Sequence, residues 1–497
     1  ALATKGPIPA SGTFDGFTVS SNFHGTLPNG VVRNSYPGFY RTPYGNVSPR
    51  LGFVWQMTEK PVLVLRAGFG VYFDEHSGNL AEATLGQPPF ALSEFNGGPP
   101  NGGASLNDPF ADARVPPSSN FPVFLPLVPN GTPFIQGKNP NIKDGKTYEY
   151  NLNLQYEAPR GYLLQLGYVG TQSVHRPGSI EFDQAALASP QNPVNGETTN
   201  SISNVIARMP VQGVSPGSLF TDSVFVANYN ALQASVTKRM EHGLQLQASY
   251  TWSKNLDEVN GEGGTDVFEV QLPTNNQLDL RNSSYGPAND DRSQRLVVNF
   301  VWSTPRFASA PAVARYALTN WQLAGIGVIQ SGAAFSVFDS NAGSVYGLLG
   351  SQIRAELAPG GHPKTHGSLF SRVVGANGGG RYLSAGAFMR APEVANGTSI
   401  ADEDFGNSGV GMVRGPGQHN LDLAIERSFP VKESQSFLFR TESFNLTNTP
   451  QFGSPNAGLG YGNPLLPAVA SPSFGQINSE QGGPHPRIVQ FAVKYLF

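Results

Sequence analysis

No cysteine occurs among the 497 residues. That absence excludes disulfides, thiolate nucleophiles, iron–sulfur clusters and every cysteine-based zinc site. It assigns no compartment, because a chain that crosses an oxidising periplasm can do without thiols. Charge is also scarce: Asp, Glu, Lys and Arg make up 13% of the chain, about half the ~25% usual in soluble domains. The 32 basic and 35 acidic residues leave a net charge of −3, so there is no cationic excess to wrap nucleic acid. No apolar run approaches the ~18 residues of a transmembrane helix, which leaves a β-barrel as the one way across a bilayer. Residues Ala1-Leu2-Ala3-Thr4-Lys5-Gly6-Pro7 have neither the charged start nor the apolar stretch of a signal peptide. The expectation is that a leader has been removed or that the chain begins inside a longer protein.

What is present in quantity is turn formers and rings. The 58 Gly and 41 Pro make about a fifth of the chain, short of the ~25–30% at which disorder becomes the default. Aromatics reach 11%, with 32 Phe and 17 Tyr. The chain reads as turn-rich and folded.

Alternation with period two is the clearest local pattern. Tyr148, Tyr150, Leu152, Leu154 and Tyr156 fall on one side of a strand, and Glu149, Asn151, Asn153, Gln155 and Glu157 on the other. After Pro159-Arg160-Gly161 the pattern returns with Tyr162, Leu164, Leu166 and Tyr168. A second hairpin sets Leu232, Ala234 and Val236 before Glu241-His242-Gly243 and Leu244, Leu246, Ala248, Tyr250 and Trp252 after it. Similar segments lie at 47–57, 61–74, 292–303, 320–331, 417–428, 436–446 and 487–497. That makes about eleven strands, each near the ~9–11 residues that cross a bilayer at a tilt.

Tight turns at 58–60, 158–161 and 241–243 contrast with long connections at 75–146, 173–228, 256–291, 332–416 and 447–486. Short turns on one side and long loops on the other are the outer-membrane arrangement. A soluble β-sandwich is the competing account, but its strands would be nearer ~5–6 residues and would not need rings at both ends of the apolar stripes. The fold class expected is an all-β, antiparallel transmembrane barrel, present in part. The last strand ends on Val493, Tyr495 and Phe497, the kind of aromatic terminus that bacterial barrels present to their assembly machinery. If that strand descends to the periplasm, all short turns are periplasmic and all long loops external.

Several segments carry a family resemblance. They are Ser48-Pro49-Arg50-Leu51-Gly52-Phe53-Val54-Trp55, Ser249-Tyr250-Thr251-Trp252-Ser253-Lys254, Asn320-Trp321-Gln322-Leu323-Ala324-Gly325 with Gln330-Ser331-Gly332, and Phe405-Gly406-Asn407-Ser408-Gly409 with Arg414-Gly415-Pro416-Gly417. Phe439-Arg440-Thr441-Glu442-Ser443-Phe444-Asn445-Leu446 with Pro450-Gln451-Phe452-Gly453, and Pro486-Arg487-Ile488-Val489-Gln490-Phe491, complete the set. In this order they resemble the C-terminal barrel of TonB-dependent receptors of the Oar-like group. The resemblance implies energy-coupled uptake of a nutrient, with an external ligand, outer-membrane lipid and the TonB complex as partners, and with no cofactor and no chemistry on the substrate. The plug and the TonB-gripped segment of that group have no counterpart here. Residues 1–46 read as the end of an external loop and 47–497 as the C-terminal part of a barrel. A non-transporting surface or adhesion protein and a soluble all-β binding module stay open as alternatives.

Motifs that suggest chemistry are weak. Gly213-Val214-Ser215-Pro216-Gly217 matches a nucleophile elbow by letter, but Pro216 has no N–H to offer an oxyanion. His362 and His366 have metal-ligand spacing on a helix, yet Gly360, Gly361 and Pro363 argue for a loop. His76, His175 and His419 have no evident partner. Acidic clusters at Asp257, Glu258, Glu262 and Asp266, at Asp290 and Asp291, and at Asp402, Glu403 and Asp404 read as solvated external loops, with calcium as the alternative. Asp422, Glu426, Arg440 and Glu442 should point into the lumen, where an ion-pair ladder is preferred to a substrate site. Phe95, Phe121, Phe124, Phe134, Phe370 and Phe388 lie in long loops, either to grip ligand or to form small loop cores.

Overall fold

A computed structural model describes residues 18–27, 29–38, 41–74, 134–211, 214–259, 272–309, 311–348, 353–373, 380–432, 435–460, 471–480 and 486–497. Alternating apolar and polar residues form the main strands: β1 (Arg50–Glu59), β2 (Val62–Asp74), β3 (Gly145–Ala158), β4 (Tyr162–Glu181), β5 (Leu219–Glu241) and β6 (Leu244–Asp257). They continue with β7 (Gln294–Ser303), β8 (Trp321–Gln330), β9 (Gln418–Lys432), β10 (Gln435–Phe444) and β11 (Ile488–Leu496). Each pairs antiparallel with the next in chain order, so the path from β1 to β11 is a single meander. Two short strands, Gln136–Lys138 and Gly286–Pro287, pair with β5 and β6 beside that path.

The register shows why the sequence alternates. Trp55, Leu65, Leu154, Leu166, Ala234, Tyr250, Leu296 and Ile329 are successive partners across eight strands and form one apolar row. One residue along, Gln155, Gln165, Ser235 and Ser249 form a row on the opposite face. Gln165 there donates to Gln155 at 3.4 Å and accepts from Ser235 at 3.2 Å. The apolar face is open: Leu51 is 72% exposed and Phe491 71%, with Leu152, Leu166, Trp252 and Val493 exposed as well. A soluble sandwich would bury this face against a second sheet. No such cover exists among the described residues, so hydrocarbon is the solvent the face fits. Glycine has a specific place here, because the Tyr150 ring lies where a Cβ on Gly170 would stand.

One difference from the sequence reading has a physical cause. β4 runs on to Glu181 and β5 starts back at Leu219, inside a stretch expected as loop. Beyond the apolar belt the outward face no longer meets lipid, so hydrophobic alternation fades while backbone pairing continues, with bulges near Arg176. The connection between β7 and β8 holds a helix, α1 (Ala312–Leu318).

The sheet is open. Among the described residues nothing pairs with the outer edge of β1 or β11. Ten antiparallel pairings make these two strands run in the same direction, so they cannot join each other in an antiparallel closure.

Candidate ligand-capture site

The long connections carry the true core of the molecule. Phe335, Val337, Leu383, Phe388, Leu459 and Phe474 form one buried cluster, with Phe335 1% exposed and Phe474 0%. A second contains Val345, Tyr346, Ile353 and Val394, and Phe405 stacks on Tyr346 with ring centroids 4.1 Å apart. Small clusters around Val214 and Met209 add the connection that follows β4. Together these segments make a folded cap on the long-connection side of the sheet.

Buried polar groups lock the cap's segments to one another, as low dielectric requires. Arg208 is fully buried and donates to the carbonyls of Ala186 at 2.7 Å, Ser201 at 3.2 Å and Val345 at 2.7 Å, and to Asn204 Oδ1 at 2.9 Å. Burial draws its guanidinium below the ordinary value. Arg354 donates from Nε to Ser408 O at 2.6 Å, and burial pulls it down to about 10. Asn200 reaches Ala395 O at 2.6 Å across the cap. Tyr346 donates to Asp404 at 2.7 Å; burial first, then the hydrogen bond to that carboxylate, raises the phenol. Burial alone would raise the Asp402 carboxyl, but donors from Thr398, Ile202 and Ser399 hold it below the usual range.

Three members of the acidic clusters therefore correct the sequence reading. Asp291, Asp402 and Glu403 are buried and bonded rather than solvated. Asp291 pairs with Arg414 and accepts from Asn255 N at 2.6 Å, and Glu403 pairs with Arg390. No group of three or more His, Asp or Glu side chains suited to a metal occurs among the described residues. Glu262 and Asp266 lie outside them, as do His76, Gly213, Phe95, Phe121 and Phe124. His362 and His366 sit on a non-helical segment. The loop aromatics divide: Phe388 is core, whereas Phe134 and Phe370 are exposed.

On the sheet, Arg440 bridges Glu426 at 3.1 Å and Glu442 at 2.6 Å, all on the polar face. Asp422 stands apart; it accepts from Asn420 at 2.9 Å and from the Asn445 backbone at 2.8 Å, fixing the turn after β10. Val493 and Tyr495 face outward near the end of β11, where the Tyr495 ring lies 5.0 Å from Phe437 and 6.0 Å from Phe497.

The cap also holds a groove that sequence reasoning missed. A cavity of about 440 Å³ is lined by Phe338, Ser454, Asn456, Gln476, Asn478, Ser479 and their neighbours, with no charged side chain among them. Its size falls in the ~300–1,000 Å³ range of small-molecule sites. The Asn456 amide is fixed by Ser473 at 3.0 Å and by the Gly458 N–H at 3.1 Å. The only prior sign was an excess of Asn, Gln, Ser and Gly in 451–480, which many loops share.

A family model for the outer membrane beta barrel domain matches residues 7–490. No curated protein matches. Among solved structures, the chain is similar to the ferripyoverdine receptor of the Pseudomonas aeruginosa outer membrane, at 9% identity and a TM-score of 0.37 over 90% of this chain and 32% of that one. It is similar to the ferric preacinetobactin receptor of Acinetobacter baumannii, at 12% identity and a TM-score of 0.35, covering 90% and 36%. The ferric-catecholate import receptor Fiu of E. coli K12 gives 10% identity and a TM-score of 0.34, covering 90% and 34%. The chain spans about a third of the length of these structures.

Proposed function

The chain belongs to the outer membrane beta barrel domain family, whose place is the bacterial outer membrane, and from that premise we propose that it is the C-terminal barrel portion of a TonB-dependent receptor of the Oar-like group. On this reading residues 47–497 supply the later strands, residues 1–46 finish an external loop, and earlier strands and a plug precede them. The edges of β1 and β11, unpaired among the described residues, support it, because each unsatisfied backbone group in hydrocarbon costs several kcal/mol. The receptor takes up an unidentified nutrient, coupled to the TonB complex through the preceding plug, and Val493, Tyr495 and Phe497 form the signal read by the barrel-assembly machinery.

The observation that carries the proposal is the cap: a folded, ligand-sized and charge-free groove on the long-connection rim of a sheet with one apolar and one hydrogen-bonding face. Sequencing the gene upstream of residue 1 and assaying the encoded N-terminal segment against the periplasmic domain of TonB tests the coupling. A plug and a binding segment are expected. A gene that encodes neither supports the second reading, a surface protein whose interlocked cap serves adhesion. The soluble-module alternative is overturned by the uncovered apolar face and the family match.

A further inference from the structure

The connection between β7 and β8, residues 304–320, contains Arg306 and Arg315 and no acidic residue. Its helix α1 lies with Val313 82% exposed and Tyr316 68% exposed, next to an exposed Leu318. Such an apolar surface is out of place in water and suits a membrane interface. Two hydrogen bonds tie the helix to the outer rim of the sheet: Trp321 Nε1 donates to Ala317 O at 2.7 Å, and Arg427 Nη2 donates to Tyr316 O.

Arg427 stands directly opposite Trp321 in the β8–β9 register, on the apolar face. Its guanidinium sits 5.2 Å from the Tyr316 ring centre, 5.0 Å from Trp321 and 4.5 Å from Phe429. The bond to Tyr316 O caps a helix carbonyl and occupies Nη2 alone. Two other cations on this short-turn rim have acids beside them: Lys238 pairs with Glu241 at 3.2 Å and Arg239 with Glu157 at 2.9 Å. Among the described residues no carboxylate pairs with Arg306, Arg315 or Arg427. A guanidinium held by rings on a lipid-facing surface, without a carboxylate, has the chemistry of a phosphate site.

We infer that Arg427, its aromatic surround and helix α1 bind the phosphate-bearing headgroup of an inner-leaflet phospholipid, with Val313 and Tyr316 dipping into the interface. This rests on the reading above that the short-turn rim faces the periplasm. The test is native mass spectrometry of the folded protein extracted from outer membranes, delipidated and titrated with phosphatidylglycerol, diacylglycerol or lipid A. Phosphatidylglycerol adducts are expected, with diacylglycerol giving none. Arg427→Gln should weaken retention roughly fivefold, Arg427→Lys less, and Lys238→Gln not at all, each in protein that still shifts in gel mobility on heating. Equal retention by wild type and Arg427→Gln overturns the site. Arg427-dependent binding of lipid A in preference to phosphatidylglycerol overturns the phospholipid assignment and turns the rim outward, while leaving the membrane fold intact.

Discussion

The sheet and the cap solve opposite solvation problems with similar residues. On the sheet, Leu51 and Phe491 are more than two-thirds exposed, and order comes from backbone pairing along a meander. In the cap, Phe335 and Phe474 are sealed from solvent, and fully buried arginine and asparagine side chains bind one segment to the next. The difference shows that side-chain burial measures stability only where water is the surrounding solvent. In the membrane part the same apolar surface is satisfied by lipid, and the backbone groups have no alternative to pairing.

The contrast is broken most severely at Arg208. Arg208→Ala should strip a donor from three main-chain carbonyls, at about 1–3 kcal/mol each, and open the cap. Limited proteolysis of the folded protein is expected to cut within 182–218 and 333–416 while the heat-dependent mobility shift persists. An intact, protease-resistant cap would show that the arginine is dispensable. A smaller effect is expected on the sheet. Leu166→Arg, on the apolar face, should cost about 2–4 kcal/mol of insertion if that residue lies near the midplane, whereas the adjacent Gln165→Arg should be tolerated. Folding yields into lipid vesicles check this, and equal yields would remove the distinction between the faces.

Asp183 sharpens the comparison through pH. Burial raises its carboxyl to about 7; it accepts from Val211 N at 2.8 Å, and its other oxygen is buried with no partner among the described residues. Because the folded value lies above the unfolded one, the folded state holds a proton that the unfolded state has released, and cap stability falls as pH rises from about 4 to 7. Protease resistance of the cap should follow that slope, and Asp183→Asn should flatten it. The smallest change is expected at Glu426→Gln, because Arg440 keeps Glu442 at 2.6 Å; a part-exposed pair is worth about 1 kcal/mol or less. A midpoint shift in urea well beyond that would mean the network does more than hold neighbouring strands.

Legibility followed the same divide. Strands such as 148–157 and 244–253 were visible because one face must be apolar and the other polar, and that demand writes period two into the chain. The ends of β4 and β5 were not, since above the belt neither face is required to be apolar. Arg440 and its two glutamates could be placed on one face by parity alone. Arg208, Arg354 and the groove at Phe338 and Gln476 could not, because they unite residues far apart in irregular segments, 54 positions for Arg354 and Ser408 and 137 for Arg208 and Val345.

By itself the amino-acid order determined the class of structure: a thiol-free, charge-poor chain with amphipathic strands of membrane-crossing length, since a local two-residue repeat needs no knowledge of distant partners. Only the tertiary structure decided that Asp291, Asp402 and Glu403 are buried clasps, that the long connections share a core, and that Arg427 lies among three rings with no carboxylate paired to it among the described residues. Those outcomes depend on which segments meet in space, and no local rule encodes that.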